Sequence, residues 1–511
     1  MVSPTFQKPC LSLLLLIVAL AVSCSGQDEA LSSKAAPPAV SEPEEAPLPE
    51  TASPYDVLPP AVRLTMDKAF TGDLDELVTR RAIRVAVTFN RTHYFIDKGQ
   101  ERGLTYEWMK IFEDDLNKDL KTGKLKVHVV MVPMSRDQLY PALSSGQVDM
   151  VAAMIAVTPE RDKLVAFSQP TRTNVNEVVV TGPGAPPISS VDDLAGKEVF
   201  VRKGSLYHEN LIRLSDDLKA RGKAPIVIDE APVVLEDDDV LEMVNAGLAP
   251  ITVVDEYLAE FWSKMFKDLT VHPAVAVRTG GTLAVAFRKE NPQLREVVNK
   301  TLKKHGEADG TRRVLEQRYL ENVKYAKNAA ANAERKKFQA VVELFKKYGD
   351  KYDIDYLLMA AQGYQESTLD HSARSPVGAI GIMQVMPATG KDMKVGDITE
   401  IEANINAGVK YMRFVMNEYY KDEPMDNLNK ALMTFASYNC GPGRMRQLRR
   451  ETEKRGLDPN VWFGNVERVA SEKIGRETVT YVSNIYKYYL AYKMLVEQSE
   501  ARAAAKKAAQ R

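Results

Sequence analysis

The 511-residue sequence has few cysteines, few histidines and no excess of charge of either sign. Its 68 basic and 69 acidic residues give a formal net charge of -1, so the basic bias of a nucleic-acid-binding protein is missing and no nucleic-acid partner is expected. The six histidines are scattered, and no pair has the spacing of metal ligands, which argues against a zinc or iron site. No cofactor is expected.

The sequence also lacks an apolar run that could cross a bilayer, which takes roughly 20 residues. Its longest run, residues 11–22, follows Lys8 and precedes Ser23 and Cys24, the order typical of a secretory signal peptide. The ending A-V-S-C resembles the bacterial lipobox, whose cysteine becomes the lipidated N-terminus. We therefore expect a lipid anchor at Cys24 on the periplasmic face of the outer membrane; ordinary secretion with cleavage near Ser23 is the alternative.

The three cysteines agree with export. Cys10 would leave with the signal peptide (residues 1–23) and Cys24 would carry lipid, which leaves Cys440 alone. No intrachain disulfide is then expected even in an oxidising periplasm, so stability has to come from packing. Residues 24–60 are rich in Ala, Pro, Glu and Ser, which predicts a disordered tether between the anchor and the folded body.

Strand and helix patterns alternate from residue 61 to about residue 325. A helical pattern over 61–79 leads into an apolar strand at 83–87, and a second series of the same kind begins at Val199. This alternation predicts a parallel α/β layer structure. It divides into two lobes with a cleft between them, joined by extended crossings near 178–180 and 275–277: lobe 1, about 82–180 and 276–325, and lobe 2, about 181–275.

Six motifs of this part resemble, as a set, the amino-acid-binding type of the family-three periplasmic solute-binding proteins. They are R-V-A-V at 84–87, G-Q-V-D-M-V-A-A-M at 146–154, T-P-E-R at 158–161, A-F-S-Q-P at 166–170, D-D-L-A-G-K-E-V at 192–199 and V-D-E-Y at 254–257. The resemblance covers residues 61–325 and implies a type II periplasmic-binding-protein fold.

Arg161 is an unusual residue for the start of a helix. Thr158 and Pro159 are good helix starters, but a cation in the first turn opposes the helix dipole, and a bound anion would resolve the conflict. The resemblance implies that Arg161 holds a ligand carboxylate and Asp255 an amino group. Tyr94 and Phe95, in the aromatic loop after the first strand, are the candidates for a stacking wall. We expect an amino-acid-like or peptide-like ligand; the alternative is that Arg161 pairs with a neighbouring acid.

Strand patterns end at residue 338, after a helical linker at 326–337. Helical periodicity continues through 403–419, 427–437, 460–467 and 479–496, which predicts an all-α domain over 338–498 and a polar tail at 499–511. Leu358, Gln362 and Glu366 follow at i, i+4 and i+8, so Glu366 lies at the edge of a packed face. Partial burial raises the pKa of a carboxylate, as a general acid for glycosidic cleavage requires.

Four motifs of the C-terminal domain resemble, in order and spacing, the soluble lytic murein transglycosylase domain, which is lysozyme-like. They are E-S at 366–367, S-P-V-G-A-I-G-I-M-Q-V-M-P at 375–387, A-S-Y-N-C-G-P-G at 436–443 and E-T-V-T-Y-V at 477–482. The resemblance implies that Glu366 cleaves peptidoglycan glycan strands without water. It also implies a substrate groove lined by Ser375, Met383, Gln384, Tyr438, Asn439 and Tyr481.

Two other functions remain open at this point. A hydrolytic glycosidase needs a second carboxylate, for which Asp370 is the nearest candidate, although its position before a turn suits a cap better. A transport or sensor protein would use the α-helical domain only to bind the cell wall. With the lipobox, the whole chain resembles the membrane-bound lytic murein transglycosylases, and a cell-wall peptide bound near Arg161 could then regulate Glu366.

Overall fold

The computed structural model describes residues 58–66, 68–97, 100–306, 310–321, 332–474 and 476–509. The predicted signal peptide, Cys24 and nearly all of the tether lie outside the described residues, as does half of the predicted linker. No helix in the described ranges has both the length and the apolar character to cross a membrane.

Eleven strands are present in the described residues. They are β1 (Ala82–Val87), β2 (Phe95–Asp97), β3 (Gln100–Arg102), β4 (His128–Pro133), β5 (Met150–Ala156), β6 (Ala166–Phe167), β7 (Arg172–Thr181), β8 (Glu198–Arg202), β9 (Val227–Ala231), β10 (Ile251–Asp255) and β11 (Thr270–Phe287).

The helices of the first, α/β part lie before, between and after these strands. They are α1 (Pro60–Met66), α2 (Leu74–Arg80), α3 (Leu104–Asp119), α4 (Leu139–Ser144), α5 (Pro159–Asp162), α6 (Leu206–Ala220), α7 (Asp237–Asn245), α8 (Glu256–Ser263), α9 (Pro292–Lys304) and α10 (Thr311–Glu316). The C-terminal part is helical throughout, with α11 (Asn332–Tyr352), α12 (Tyr356–Ser367), α13 (Pro387–Met393), α14 (Ile401–Tyr420), α15 (Asn427–Cys440), α16 (Pro442–Lys454), α17 (Glu467–Lys473) and α18 (Arg476–Ala509).

One sheet runs through both lobes in the order β10-β7-β11-β5-β1-β4, with β6 against β11. Strand β1 is parallel to β4 and β5, but β11 is antiparallel to both β5 and β7, and β7 is antiparallel to β10. The predicted parallel sheet is therefore wrong in part: the sheet is mixed. The reason is that β7 and β11 are the two crossings between the lobes and run in opposite directions, so they pair antiparallel.

The apolar core of the C-terminal domain continues into lobe 2. Buried side chains of α11, α12, α14, α15 and α18 form one cluster with Leu235, Val240 and Met243, of which the last two lie on α7. Burial of shared apolar surface holds the two parts together. Helix α7 is thus packed on lobe 2 on one side and on the C-terminal domain on the other.

Helix boundaries differ from the predictions at several points. The pattern at 61–79 forms two helices, α1 and α2, and the pattern at 460–467 contains a kink, because Phe463 and Gly464 have non-helical backbone angles. Two helices that begin with proline, α13 and α16, were not predicted. The predicted polar tail at 499–511 continues α18 as far as Ala509.

Candidate active site and a second cleft

Glu366 lies one residue before the end of α12. The helix begins after Asp355, whose side chain accepts a hydrogen bond from the Leu357 amide (2.8 Å), and it ends where Thr368 takes a left-handed φ of 55°. Residues 357–364 are buried, so only the last turn approaches the surface. Glu366 is therefore half-buried at the end of a helix whose other turns are fixed in the core.

The segment after α12, residues 368–386, folds back against it and is called the return loop here. The Ser367 hydroxyl donates to the Ile382 carbonyl (3.0 Å). From α14, the buried Asn404 accepts from the Met383 amide (3.0 Å) and donates to the Ile380 carbonyl (2.8 Å). Gly381, at φ 75°, passes so close that a Cβ there would lie 2.8 Å from the Asn404 side chain. The Asn404 side chain thus joins the return loop to α14 at two points.

A tyrosine on α18 is the direct partner of Glu366. The Tyr481 hydroxyl donates to Glu366 Oε1 at 2.5 Å, and Gln362 Nε2, one helical turn before Glu366, donates to the Tyr481 hydroxyl at 3.3 Å. Burial raises the pKa of Glu366 to about 7, and the hydrogen bond from Tyr481 opposes that rise because it favours the carboxylate. Glu366 is therefore divided between acid and carboxylate near neutral pH.

Tyr438 and Asn439, at the end of α15, form the next part of the site. The Tyr438 hydroxyl donates to the Met383 carbonyl (3.0 Å), and burial together with the charge of Glu366 holds the pKa of Tyr438 well above its usual range. The exposed Asn439 accepts a hydrogen bond from Thr478 on α18 (2.6 Å). Helices α12, α15 and α18 and the return loop therefore converge on one carboxylate.

A second cleft lies between the two lobes and encloses a cavity of about 540 Å³. Lobe 1 contributes Arg136, Tyr140 and Arg161, and lobe 2 contributes Asp237 and Asp255. The hydroxyl of Tyr140 is buried and has no hydrogen-bond partner among the described residues. The cavity is large enough for a small ligand and has groups of both charges in its wall.

Arg161 and Asp255 lie in this cavity, as expected. The amide of Arg161 donates to the N-cap hydroxyl of Thr158, and its guanidinium is 3.5 Å from Glu209 of lobe 2. That pairing is the alternative considered for Arg161, although the contact is long. Burial, with Asp237 and Glu177 nearby, raises the pKa of Asp255 to about 8. A ligand cation would favour the carboxylate form of Asp255.

Tyr94 does not lie in the cavity, and the prediction that it forms a stacking wall is wrong. Its side chain is fully buried in the core of lobe 1, and its hydroxyl donates to Glu101 (2.8 Å). The sequence pattern around Tyr94 did not reveal which side chains of this loop point into the core. The residues before it, Thr92 and His93, line the cavity instead, and the aromatic rings of its wall come from Tyr140, Tyr207, Tyr257 and Trp262.

Two protein-family models match the chain, one in each part. The bacterial extracellular solute-binding proteins, family 3, match residues 83–322, and the transglycosylase SLT domain matches residues 343–460. The chain is a solute-binding domain joined to an SLT domain. Within the described ranges, no group of three His, Cys, Asp or Glu side chains is placed to hold a metal ion.

Relatives with the same name match most of the chain, across both domains. The membrane-bound lytic murein transglycosylase F of Pseudomonas fluorescens is 28% identical over 425 residues, which cover 80% of this chain and 84% of that protein. The protein of that name from Desulfosudis oleivorans is 28% identical over 424 residues, covering 78% and 87%. Among solved structures, a mutant of ArgBP from T. maritima is 23% identical and covers 48% of this chain and 99% of that chain, with a TM-score of 0.39.

The return loop of the SLT domain uses two of the predicted groove residues for its own structure. Ser375 Oγ accepts a hydrogen bond from the Ala379 amide (2.9 Å), and Gln384 Nε2 donates to the Gly381 carbonyl (2.8 Å). Both side chains are partly exposed. They therefore shape the loop beside Glu366, and their contact with a substrate stays a prediction.

Met383 is the groove residue for which the prediction is wrong. Its side chain has no exposed surface and packs between α12 and α14, where a Cβ on Gly408 would lie 2.7 Å from the Met383 Cβ. A methionine in a glycine-bearing turn looks exposed in the sequence, but the glycines of the neighbouring helices make room for it. Met383 instead offers its carbonyl to Tyr438.

Sequence reasoning missed three residues that hold the site together: Gln362, Asn404 and Thr478. Each is a buried or half-buried polar residue on a helix, and such a residue usually has a hydrogen-bond partner. Gln362 lies on the packed face of α12, four residues before Glu366. That spacing was the sequence signal that could have identified it. The partners of Asn404 and Thr478 are distant in sequence, so no local pattern could have indicated them.

The Tyr481 hydroxyl should lower the pKa of Glu366, and Tyr481→Phe tests this. Removing the donor takes away the one contact that favours the carboxylate, so the pKa of Glu366 should rise further above 7. Carbon-13 NMR of the labelled carboxyl group, followed against pH, measures it directly. The matched control is Tyr486→Phe on the same helix; a Tyr481→Phe protein whose Glu366 titrates as in the wild type would contradict the assignment.

Proposed function

We propose that this protein cleaves the glycosidic bond between N-acetylmuramic acid and N-acetylglucosamine of peptidoglycan without water, leaving anhydro-muramic acid ends. The observation that carries the proposal is Glu366, a single half-buried carboxylate with a pKa near 7, in a domain that matches the transglycosylase SLT family. The names of relatives that align along both domains support the same activity.

The proposed reaction uses Glu366 first as an acid and then as a base. Protonated Glu366 gives its proton to the glycosidic oxygen, and the bond from that oxygen to the muramic acid C1 breaks. The resulting carboxylate removes the proton from the primary hydroxyl of the same muramic acid, whose oxygen bonds to C1 and closes the anhydro ring. Glu366 is then protonated again. A pKa near neutrality suits both steps, because each form is populated.

The surroundings of Glu366 favour this route over hydrolysis. A hydrolytic glycosidase places a second carboxylate roughly 5–9.5 Å from the acid. Among the described residues, the titratable groups that act on Glu366 are the tyrosines Tyr481 and Tyr438, both neutral at pH 7. Asp370 is exposed, and its bonds to the Ser372 hydroxyl (2.7 Å) and amide lower its pKa, as in a turn cap.

The roles of the groove residues follow from their positions. We propose that Tyr481 orients the Glu366 carboxyl, and that Tyr438 and Asn439 contact the sugars from the opposite wall. Ser375 and Gln384 would hold the return loop against the glycan strand. Preorganised donors of this kind stabilise charge that develops in the transition state.

For the solute-binding domain we propose a ligand with an amino-acid-like or peptide-like end, such as a cell-wall peptide. Arg161 would bind its carboxylate and Asp255 its amino group. The long Arg161–Glu209 contact and the raised pKa of Asp255 support this, because both groups gain a better partner when such a ligand binds.

Ligand binding in the cleft is proposed to regulate Glu366 through α7. Asp237 and Asp238, in the first turn of α7, line the cleft, and Asp239 beside them pairs with Lys487 of the SLT domain (2.8 Å). Lys487 and Tyr481 lie on α18, roughly 9 Å apart along the axis. Helices α7 and α18, joined by this ion pair, thus connect the wall of the cleft to the hydrogen-bond partner of Glu366.

Helix α7 is also held by lobe 1. Arg91 pairs with Asp238 (3.1 Å) and Asp239 (3.2 Å), and Arg136 pairs with Glu236 just before α7 (2.8 Å). A ligand that changes the separation of the lobes has to break or rearrange these pairs, which is the differential contact that coupling requires.

We further propose that Cys24 carries a lipid that anchors the protein to the periplasmic face of the outer membrane. The signal sequence and A-V-S-C motif support this, and relatives are named membrane-bound. The mature enzyme would then act on peptidoglycan within reach of its tether.

Digestion of purified peptidoglycan, with the products weighed by mass spectrometry, tests the activity. Wild type should release anhydro ends, and Glu366→Gln, which cannot donate the proton, should lose activity by about a hundredfold or more. The control Asp370→Asn should keep wild-type activity. Reducing ends would indicate a hydrolase, and no release by the wild type would indicate a binding protein with a non-catalytic cell-wall domain.

Lipid attachment is measured by incorporation of labelled palmitate and by membrane fractionation. The wild-type protein should incorporate the label and sediment with outer membranes. Cys24→Ala should lose both properties while Cys10→Ala, which alters only the part that is removed, keeps them. Export of an unlabelled soluble wild-type protein would favour the simple secretion alternative.

Coupling is tested with the double variant Lys487→Met and Asp239→Asn, which removes both charges together and so leaves neither partner as a buried unpaired ion. Calorimetry with muropeptides and free amino acids should still show binding to the variant, while the effect of the ligand on turnover disappears. Lys300→Met, at an exposed pair with Asp119, is the control. If no such ligand binds the wild type, or binding leaves its turnover unchanged, regulation through the cleft is refuted.

A further inference from the structure

Phe414 of α14 is the one exposed phenylalanine among the described residues, with half of its surface accessible. Single exposed apolar residues are common and need no explanation by themselves. Phe414 differs because its ring stacks on Tyr411 (centroids 6.4 Å apart, 29° between planes), and Tyr411 in turn meets Tyr438 edge to face (5.7 Å). The rings therefore form a line that begins beside Glu366.

The inner end of this line belongs to the catalytic site. Tyr438 donates to the Met383 carbonyl of the return loop, and its ionisation is opposed by the charge of Glu366. Tyr411 is half-buried and contacts both Tyr438 and Phe414. Two ring-to-ring contacts thus connect the site at Glu366 to the exposed Phe414.

The chemistry of a sugar ring matches such a surface. A pyranose has polar hydroxyls at its edge but a face of C–H groups, and an aromatic ring presents a negative face to which C–H groups are attracted. Helix positions i and i+3 share one face of α14, so Phe414 and Tyr411 present their rings side by side. Burial of an exposed aromatic face against the sugar would also remove apolar surface from water.

We propose that Phe414, supported by Tyr411, is a stacking platform for a sugar of the glycan strand beyond the pair of sugars at Glu366. This inference rests on the proposed cleavage of glycan strands, and adds to it a subsite that selects for chain length. A strand long enough to reach Phe414 binds more tightly than a short one, while the chemical step at Glu366 is the same for both.

Three substitutions of Phe414 in the full-length protein test the platform: Phe414→Ala, Phe414→Leu and Phe414→Tyr. The substrates are uncrosslinked glycan strands of two sizes, the shortest that the wild type cleaves and one several disaccharides longer. Phe414→Ala should raise KM for the long strand by about three- to tenfold and change kcat little. The short strand should be cleaved as by the wild type. Phe414→Leu should behave like Phe414→Ala because it lacks a flat face, and Phe414→Tyr should restore the wild-type KM.

The control is Leu64→Ala, which removes an exposed apolar side chain from α1 of the other domain and should leave both substrates unaffected. Equal KM values for wild type and Phe414→Ala on the long strand would overturn the platform. So would an equal loss on both strands accompanied by a lower melting temperature, since that pattern is a structural defect. A wild type that forms no anhydro product would instead refute the proposed activity, so the two failures are distinguishable.

Discussion

The hydrogen bond from Tyr481 to Glu366 sets the state of the candidate acid, and the packing of the SLT domain makes this bond possible. It joins α12 to α18, which are separated by more than a hundred residues, and it can form only if both helices and the helices between them are packed correctly. The carboxylate needs burial to reach a useful pKa, but burial without a donor would raise that pKa further. Tyr481 supplies one donor without adding a charge, which keeps both protonation states accessible.

Because Tyr481 lies on α18, the site around Glu366 is also connected to the solute-binding domain. The same helix pairs through Lys487 with Asp239 of α7, and α7 lies between the cleft and the SLT core. A continuous apolar core with ion pairs at its edge transmits displacement better than a flexible linker, because packed side chains cannot be compressed. The two domains therefore share one packed core, although each matches a separate protein family.

The sequence revealed Glu366 and its helix because a helix has a fixed period and the surrounding motifs are local. The same reasoning failed for Met383 and Tyr94, since inward or outward orientation in a loop is decided by three-dimensional packing, against Gly408 for Met383 and in the core of lobe 1 for Tyr94. The mixed sheet was missed for a related reason: strand patterns indicate burial and do not indicate direction when the chain crosses between lobes. The roles of Asn404 and Thr478 could not be predicted, because their hydrogen bonds connect residues far apart in sequence.

The pKa of Glu366 is set by burial and by one neutral hydroxyl, with no charged side chain contributing. Dissolved ions screen interactions between charges, but they act little on the cost of burying a carboxyl group in a packed site. The acid should therefore keep the same strength when the ionic strength of its surroundings changes. The cleft between the lobes is the opposite case, because its wall is built from paired charges. Dissolved salt would therefore weaken the attraction of the cleft for a charged ligand and leave the pKa of Glu366 as it is.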